Sequence, residues 1–185
     1  MKVLIDELLR YFKNPVLEKD ENKEILYRLK TFFNLLVLSF ITTFTISFIN
    51  GFLEISGLLE TGKHSIEEAM KNLSGMKFFL FAAVVAPIIE ECIFRAPITL
   101  FKKPTHFKIA FYTLTLMFGY MHIANFEITL TILLFSPLLV AQQIFIGLYL
   151  GFIRVRFGLL WSIALHATYN GILLSLFLFA KDAIN

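Results

Sequence analysis

The stretch APIIEECIFRAP, residues 86–97, sets two adjacent glutamates and an arginine inside an otherwise apolar run. What those charges mean depends on the chain around them. No Asp, Glu, Lys or Arg occurs at 31–53, 78–89, 109–126, 128–153 or 157–180. A membrane-crossing helix needs about 20 mostly apolar residues. Four of the windows reach or approach that length alone, whereas 78–89 reaches it only by running on through Glu90 and Glu91. Hydrophobic residues make up 57% of the 185 positions and charged ones 17%, an apolar share beyond that of an ordinary soluble domain. The fold class predicted is all-α: a polytopic membrane helix bundle of about five transmembrane helices, at 31–58, 78–96, 107–124, 128–152 and 157–180.

Residues 1–30 precede this single transmembrane domain of 31–183. They lack the continuous apolar core and small-residue cleavage site of a signal peptide. In MKVLIDELLRYF the apolar residues recur at helical spacing among Lys2, Asp6, Glu7 and Arg10, which predicts an amphipathic helix at the membrane surface or, equally, a soluble cap. The polar stretch 57–77 separates the first membrane helix from the rest. Five crossings put Arg28, Lys30, Lys102, Lys103, Lys108, Arg154 and Arg156 on one side and Lys63, Lys71, Lys77 and Lys181 on the other. The positive-inside rule makes the N-terminus cytoplasmic. A re-entrant segment would overturn that topology, and 128–152, interrupted by Pro137, is the window to watch. Compact size and this charge bias suit a bacterial plasma membrane.

A net charge of +3 with dispersed basic residues gives no support for nucleic-acid binding, and the single Cys92 excludes an internal disulfide. The expected partners are membrane lipid and a peptide or membrane-anchored protein.

On insertion scales a charge at a helix centre costs roughly 2.5 to 3.5 kcal/mol, and an apolar residue returns only about 0.3 to 0.6. The helix holding Glu90, Glu91 and Arg95 must therefore face protein or water. Glu91 and Arg95, four apart, stack on one face in the order that suits an ion pair. Glu90 lies about 100° around the helix and needs another partner. The candidates are His122, in MFGYMHIANF, and His166, in IALHATYNGI. At about 1.5 Å per residue, Glu90 and His166 come out nearly level in a core of about 30 Å, with His122 one to two turns further out. Phe118 shares a face with His122, and Asn170 with His166. A lone intramembrane His or Asn is often only a helix-to-helix hydrogen bond, a Glu–Arg pair alone could be a packing lock, and Phe118 reads first as packing. The combination of Glu90, two histidines and Asn170 on three helices is what points to chemistry. Pro87 removes a backbone hydrogen bond three residues before Glu90, a break that survives in a membrane helix only where protein or water satisfies the freed carbonyl; a simple packing kink reads equally well.

No serine sits in a glycine-flanked elbow, no HExxH occurs, and Glu91 beside Cys92 opposes a thiolate. A carboxylate, two imidazoles and an amide remain: a base for water, and donors for the oxyanion formed when water attacks a peptide carbonyl.

EECIFR resembles the EExxxR motif, FGYMH the FxxxH motif and HATYN the HxxxN motif of the CPBP family, the CAAX protease and bacteriocin-processing (Abi) intramembrane proteases that include type II CAAX prenyl endopeptidases. The approach to the third motif, GLYLGFIRVRFGLLWSIALH, resembles the family pattern as well. A departure is Ala96, where the family commonly has glycine. The resemblance implies a core at about 78–180 and glutamate-dependent hydrolysis of a peptide bond. It implies that Glu90 and His122 activate water, that His166 and Asn170 hold the oxyanion, and that Glu91 and Arg95 order the site, with Phe118 beside them. No cofactor is favoured. Zinc on Glu90, His122 and His166 is the alternative, disfavoured because no carboxylate behind each histidine is recognisable in the sequence. The competing functional reading is a non-catalytic immunity or scaffold protein of the same fold. An ion-coupled transporter would leave Asn170 and the histidines without roles.

Overall fold

The computed structural model describes residues 1–59, 61 and 75–184, and most of the polar 57–77 connection, Lys63 and Lys71 included, lies outside them. Among the described residues every regular element is helical. They are α1 (Lys2–Lys13), α2 (Ile25–Ile55), α3 (Gly75–Leu80), a π-helical turn (Phe81–Val85), α4 (Ala86–Phe94), α5 (Pro104–Met121), α6 (Leu130–Leu139), α7 (Ala141–Phe157) and α8 (Leu159–Ile184). Short 3-10 turns follow α4, at Pro97–Leu100, and α5, at His122–Asn125.

Three runs are long and apolar enough to cross a membrane: Ile25–Ile55, Leu130–Phe157 and Leu159–Ala180. The other two windows fall outside that set. One changes helix type midway and carries the glutamates, and the other opens with Thr105, His106 and Lys108. The first long helix begins at Ile25, ahead of its charge-free window, with Arg28 laid 5.1 Å from the centroid of the Phe157 ring; long basic side chains near a membrane-helix end can keep their heads polar this way. Pro137 kinks the 128–152 window. It lies inside α6 and the backbone departs from helix at Val140, but Val140 N–H still reaches the Ser136 carbonyl and Ile144 N–H the Val140 carbonyl, both at 3.0 Å. The helical run therefore continues past Pro137, over the 28 residues from Leu130 to Phe157.

Between helices in lipid there is little hydrophobic drive, so small residues and polar ties decide the packing. Gly147 and Gly151, one turn apart on α7, lie against α5. A Cβ at Gly151 would sit 2.7 Å from Cε2 of the fully buried Phe111, and one at Gly147 3.1 Å from Thr115 Cγ2 and 3.2 Å from Phe118 Cδ1. On the opposite partner, Gly119 of α5 accepts the side chain of Ile144. Polar ties join α2, α7 and α8: the Tyr169 hydroxyl meets Thr43 Oγ1 at 2.5 Å and accepts from Gln142 Nε2 at 2.9 Å, and Thr42 Oγ1 meets the Tyr149 hydroxyl at 3.1 Å.

The N-terminal helix is docked on the bundle. Leu4, Leu8 and Tyr11 are buried, Tyr11 stands edge-on to Phe111 and Phe152, Arg156 Nη2 donates to Glu7 Oε1 at 2.6 Å, and the Tyr112 hydroxyl donates to the Phe12 carbonyl at 2.6 Å. Burial pushes the Tyr11 hydroxyl well above the usual tyrosine range. Val3 and Leu9 remain on the outward side.

Gly151→Ala is expected to destabilise the purified protein by about 1 to 3 kcal/mol, because the buried Phe111 ring has no slack to give. Gly51→Ala, where nothing lies within 4 Å of an added Cβ, is the control and is expected to be neutral or stabilising in a thermal-shift assay.

Candidate active site

Glu90 and Glu91 occupy α4, which follows the π turn with Pro87 in its first turn and ends at Arg95. Their environments differ. The Glu91 side chain has no exposed surface, as is true of Arg95, while Glu90 keeps 18% of its side-chain surface.

Glu91 is the hub. Its Oε1 lies 3.7 Å from Arg95 Nε and 3.1 Å from Nδ1 of His166 on α8. An ionised carboxylate only accepts, so Nδ1 carries the hydrogen and Nε2 faces the other way. There it lies 3.6 Å from Glu90 Oε2, and His166 is the separate partner that Glu90 required. Two carboxylates and one guanidinium sum to −1, so an imidazolium at His166 would make the array neutral.

Phe118 holds the second layer together. The Arg95 guanidinium carbon stands 3.9 Å from its ring centroid, a cation–π contact that offsets part of the loss of water. Its edges meet the rings of His122 and His166 at 5.1 and 5.6 Å. Gly147 makes the stack possible, since a Cβ there would lie 2.9 Å from Arg95 Nη2.

His122 stands at the end of α5, where the helix tightens into its 3-10 turn. Its Nδ1 pairs with the Phe118 carbonyl at 2.8 Å, and Glu90, His166 and Arg95 all lie within Coulombic reach. Among the described residues it hydrogen-bonds neither Glu90 nor His166. Asn170, one turn beyond His166, donates from Nδ2 to the Ala82 carbonyl of the π turn at 3.1 Å. Cys92 is exposed, on a different face from this cluster.

Two observations bear on a metal. Each histidine has an outer partner on Nδ1, a carboxylate (Glu91) for His166 and a backbone carbonyl (Phe118) for His122. Among the described residues, however, no three His, Cys, Asp or Glu side chains converge closely enough to hold a metal ion.

Sequence reasoning missed Arg154. Counted there only as a cytoplasmic charge, it donates from Nε to the Arg95 carbonyl at 3.1 Å and from Nη2 to Thr99 Oγ1 at 3.0 Å, closing the C-terminal end of α4. The role of Gly147 was missed too, although the GLYLG spacing that carries it was in view.

Comparison with known proteins gives one family. The family model for type II CAAX prenyl endopeptidase Rce1-like proteins matches residues 72–172, over half the chain and spanning Glu90, His122, His166 and Asn170. Neither a curated protein nor a solved structure matches.

Removing one member of a buried ion pair strands the other, at a cost of about 3 to 5 kcal/mol. Arg95→Ala and Glu91→Ala are accordingly expected to lose most folded protein, read as monodisperse yield after detergent extraction. Arg95→Lys is expected to restore little, because a point ammonium cannot lie flat over Phe118.

Proposed function

Because the chain belongs to the Rce1-like family of type II CAAX prenyl endopeptidases, we propose that it is an intramembrane endopeptidase that cleaves a peptide or membrane-anchored protein by glutamate- and histidine-activated water. The observation that carries this reading is the 3.6 Å approach of Glu90 Oε2 to His166 Nε2, in a cluster where Glu91 and Arg95 are sealed off and Glu90 alone of the three charges retains exposed surface. A buried structural pair needs no such opening. A general base does.

Glu90 takes a proton from a water molecule while the water oxygen bonds to the substrate carbonyl carbon. His122 assists as acceptor: with Nδ1–H given to the Phe118 carbonyl, its Nε2 lone pair is free. The charge developing on the carbonyl oxygen is met by Nε2–H of a protonated His166 and by the second Nδ2–H of Asn170. The carbon–nitrogen bond then breaks, and the departing amine takes the proton held by Glu90. The hydrogen bond from Nδ1 of His166 to Glu91 keeps the ring oriented throughout. This sequence needs no metal.

The reading includes five crossings, with 75–94 and Pro104–Met121 as the two charge-bearing ones. They lie against the other helices, and Glu91 and Thr115 are buried there. Residues 1–30 and the basic ends Arg154 and Arg156 then share the cytoplasmic side.

Glu90→Gln is expected to insert and fold as wild type and to abolish cleavage, measured by comparing membrane peptides by mass spectrometry in cells carrying either form and with purified protein in liposomes. Full cleavage by Glu90→Gln would end this mechanism. His166→Ala and Asn170→Ala are each expected to lose on the order of 100-fold in rate. Treating the purified protein with a chelator is expected to leave activity intact; activity lost to the chelator and restored by zinc would put a metal in place of the free base.

A further inference from the structure

The helix that delivers Glu90 changes register one turn ahead of it. Phe81–Val85 is π-helical, and Ala86 N–H bonds the Phe81 carbonyl, five residues back. The helix returns to α register at Ala86, so an N–H at residue 87 would serve the Ala82 carbonyl if the π register ran one residue further and the Ala83 carbonyl if it did not. Residue 87 is proline and has no N–H. Ala82 accepts instead from Asn170 Nδ2, on α8, at 3.1 Å.

A backbone carbonyl left unpaired in hydrocarbon is strongly unfavourable, so the Asn170 bond is worth more here than it would be in water. It also fixes a direction. The carboxamide has two Nδ2 hydrogens; one is held by Ala82, which sets the amide plane and leaves the second hydrogen pointing where that plane dictates. Asn170 stands one turn from His166, whose Nε2 faces Glu90. π turns recur at functional sites for this kind of reason, since they expose a backbone group that an α-helix would consume.

We propose that Pro87 is a positioning residue for Asn170: by withholding an N–H it leaves the Ala82 carbonyl to the Asn170 carboxamide, and so aims the remaining amide hydrogen into the site. The coupling between Pro87 and Asn170 stands on geometry alone, and its consequence for turnover rests on the endopeptidase reading. A proline that merely bent the helix would leave Asn170 indifferent to what occupies residue 87.

A double-mutant cycle separates the two. Wild type, Pro87→Ala, Asn170→Ala and the double variant are purified at full length in detergent, and Tm, kcat and KM are measured on a fluorogenic peptide that the wild type cleaves. Asn170→Ala is expected to lower Tm by about 3 °C when residue 87 is proline. It is expected to lower Tm by no more than about 1 °C in the Pro87→Ala background, where the missing N–H is restored. Pro87→Ala is expected to lower kcat on the order of 10-fold with KM unchanged, and Asn170→Ala then to remove less than it does alone. Equal Tm losses in both backgrounds would overturn the proposal. A coupled Tm with wild-type kcat in Pro87→Ala would overturn the positioning role and leave the protease reading standing, whereas undiminished cleavage by Glu90→Gln strikes that reading and not the coupling. If Pro87→Ala does not accumulate, Asn170→Asp tests the bond without touching the proline. It matches the shape of Asn170 and, ionised, cannot donate. The infrared amide band of alanine-carbonyl-labelled protein is expected to move toward the free-carbonyl position, and an unchanged band would overturn the proposal.

Discussion

A carboxylate with no exposed surface, Glu91, is the group on which the buried Arg95 and His166 depend. Its Oε1 lies 3.7 Å from Arg95 Nε of its own helix and pairs with Nδ1 of His166 on α8, so one oxygen ties two helices and sets the face that the imidazole presents. In a low-dielectric interior such an array is stable only as a whole, because each charge left alone would meet the full penalty of desolvation. The dependence runs outward from there. Arg95 lies on Phe118, Phe118 carries the rings of both histidines, and the backbone end of the Arg95 helix is closed by Arg154. Hydrogen-bond geometry and ring packing thus converge on a segment that lipid would otherwise reject.

That convergence requires backbones to come close. Gly147 and Gly151 do on α7 what larger residues could not: they let α5 approach until Phe111 and the Arg95–Phe118 stack touch helix backbone. In a membrane, where apolar side chains are as comfortable against lipid as against each other, such contact supplies association that hydrophobicity does not. The same two glycines therefore serve packing and chemistry at once. Gly151 seats a ring of the core, and Gly147 seats the guanidinium that neutralises Glu91.

Much of this could be read from residue order. The charge-free windows located the helical runs because an apolar stretch of that length has few other stable uses, and the i,i+4 spacing of Glu91 and Arg95 located their pair because helix geometry is local. Glu90 was seen to need a separate partner for the same reason. Less legible was anything that depends on how helices meet. Depth along the chain put His166 level with Glu90 but could not say that its other nitrogen would be held by Glu91, since that contact joins residues 75 apart. The outer partner of His122 is a main-chain carbonyl, a group that every residue carries and that no side-chain pattern announces. Arg154 read as a topological charge because its acceptors, two backbone carbonyls and the Thr99 hydroxyl, lie 55 to 59 residues away in the chain. The N-terminal pattern showed an amphipathic helix but not what its apolar face packs on, which is Phe111 and Phe152 through Tyr11.

The two neighbouring glutamates show why adjacency in a motif need not mean shared work. A step of about 100° around the helix sends Glu91 inward, where its charge is matched and its proton affinity serves no purpose beyond holding Arg95 and His166 in place. The same step turns Glu90 to the one side where surface remains open. An open carboxylate in lipid would be untenable if nothing opposed its charge. His166 Nε2 stands 3.6 Å from it, and Glu91 holds the far side of that ring. Burying the first glutamate as well would remove its access to water, and exposing the second would free the imidazole to rotate. The division follows from helix geometry, and it makes the sealed glutamate the condition for the ring that the open one faces.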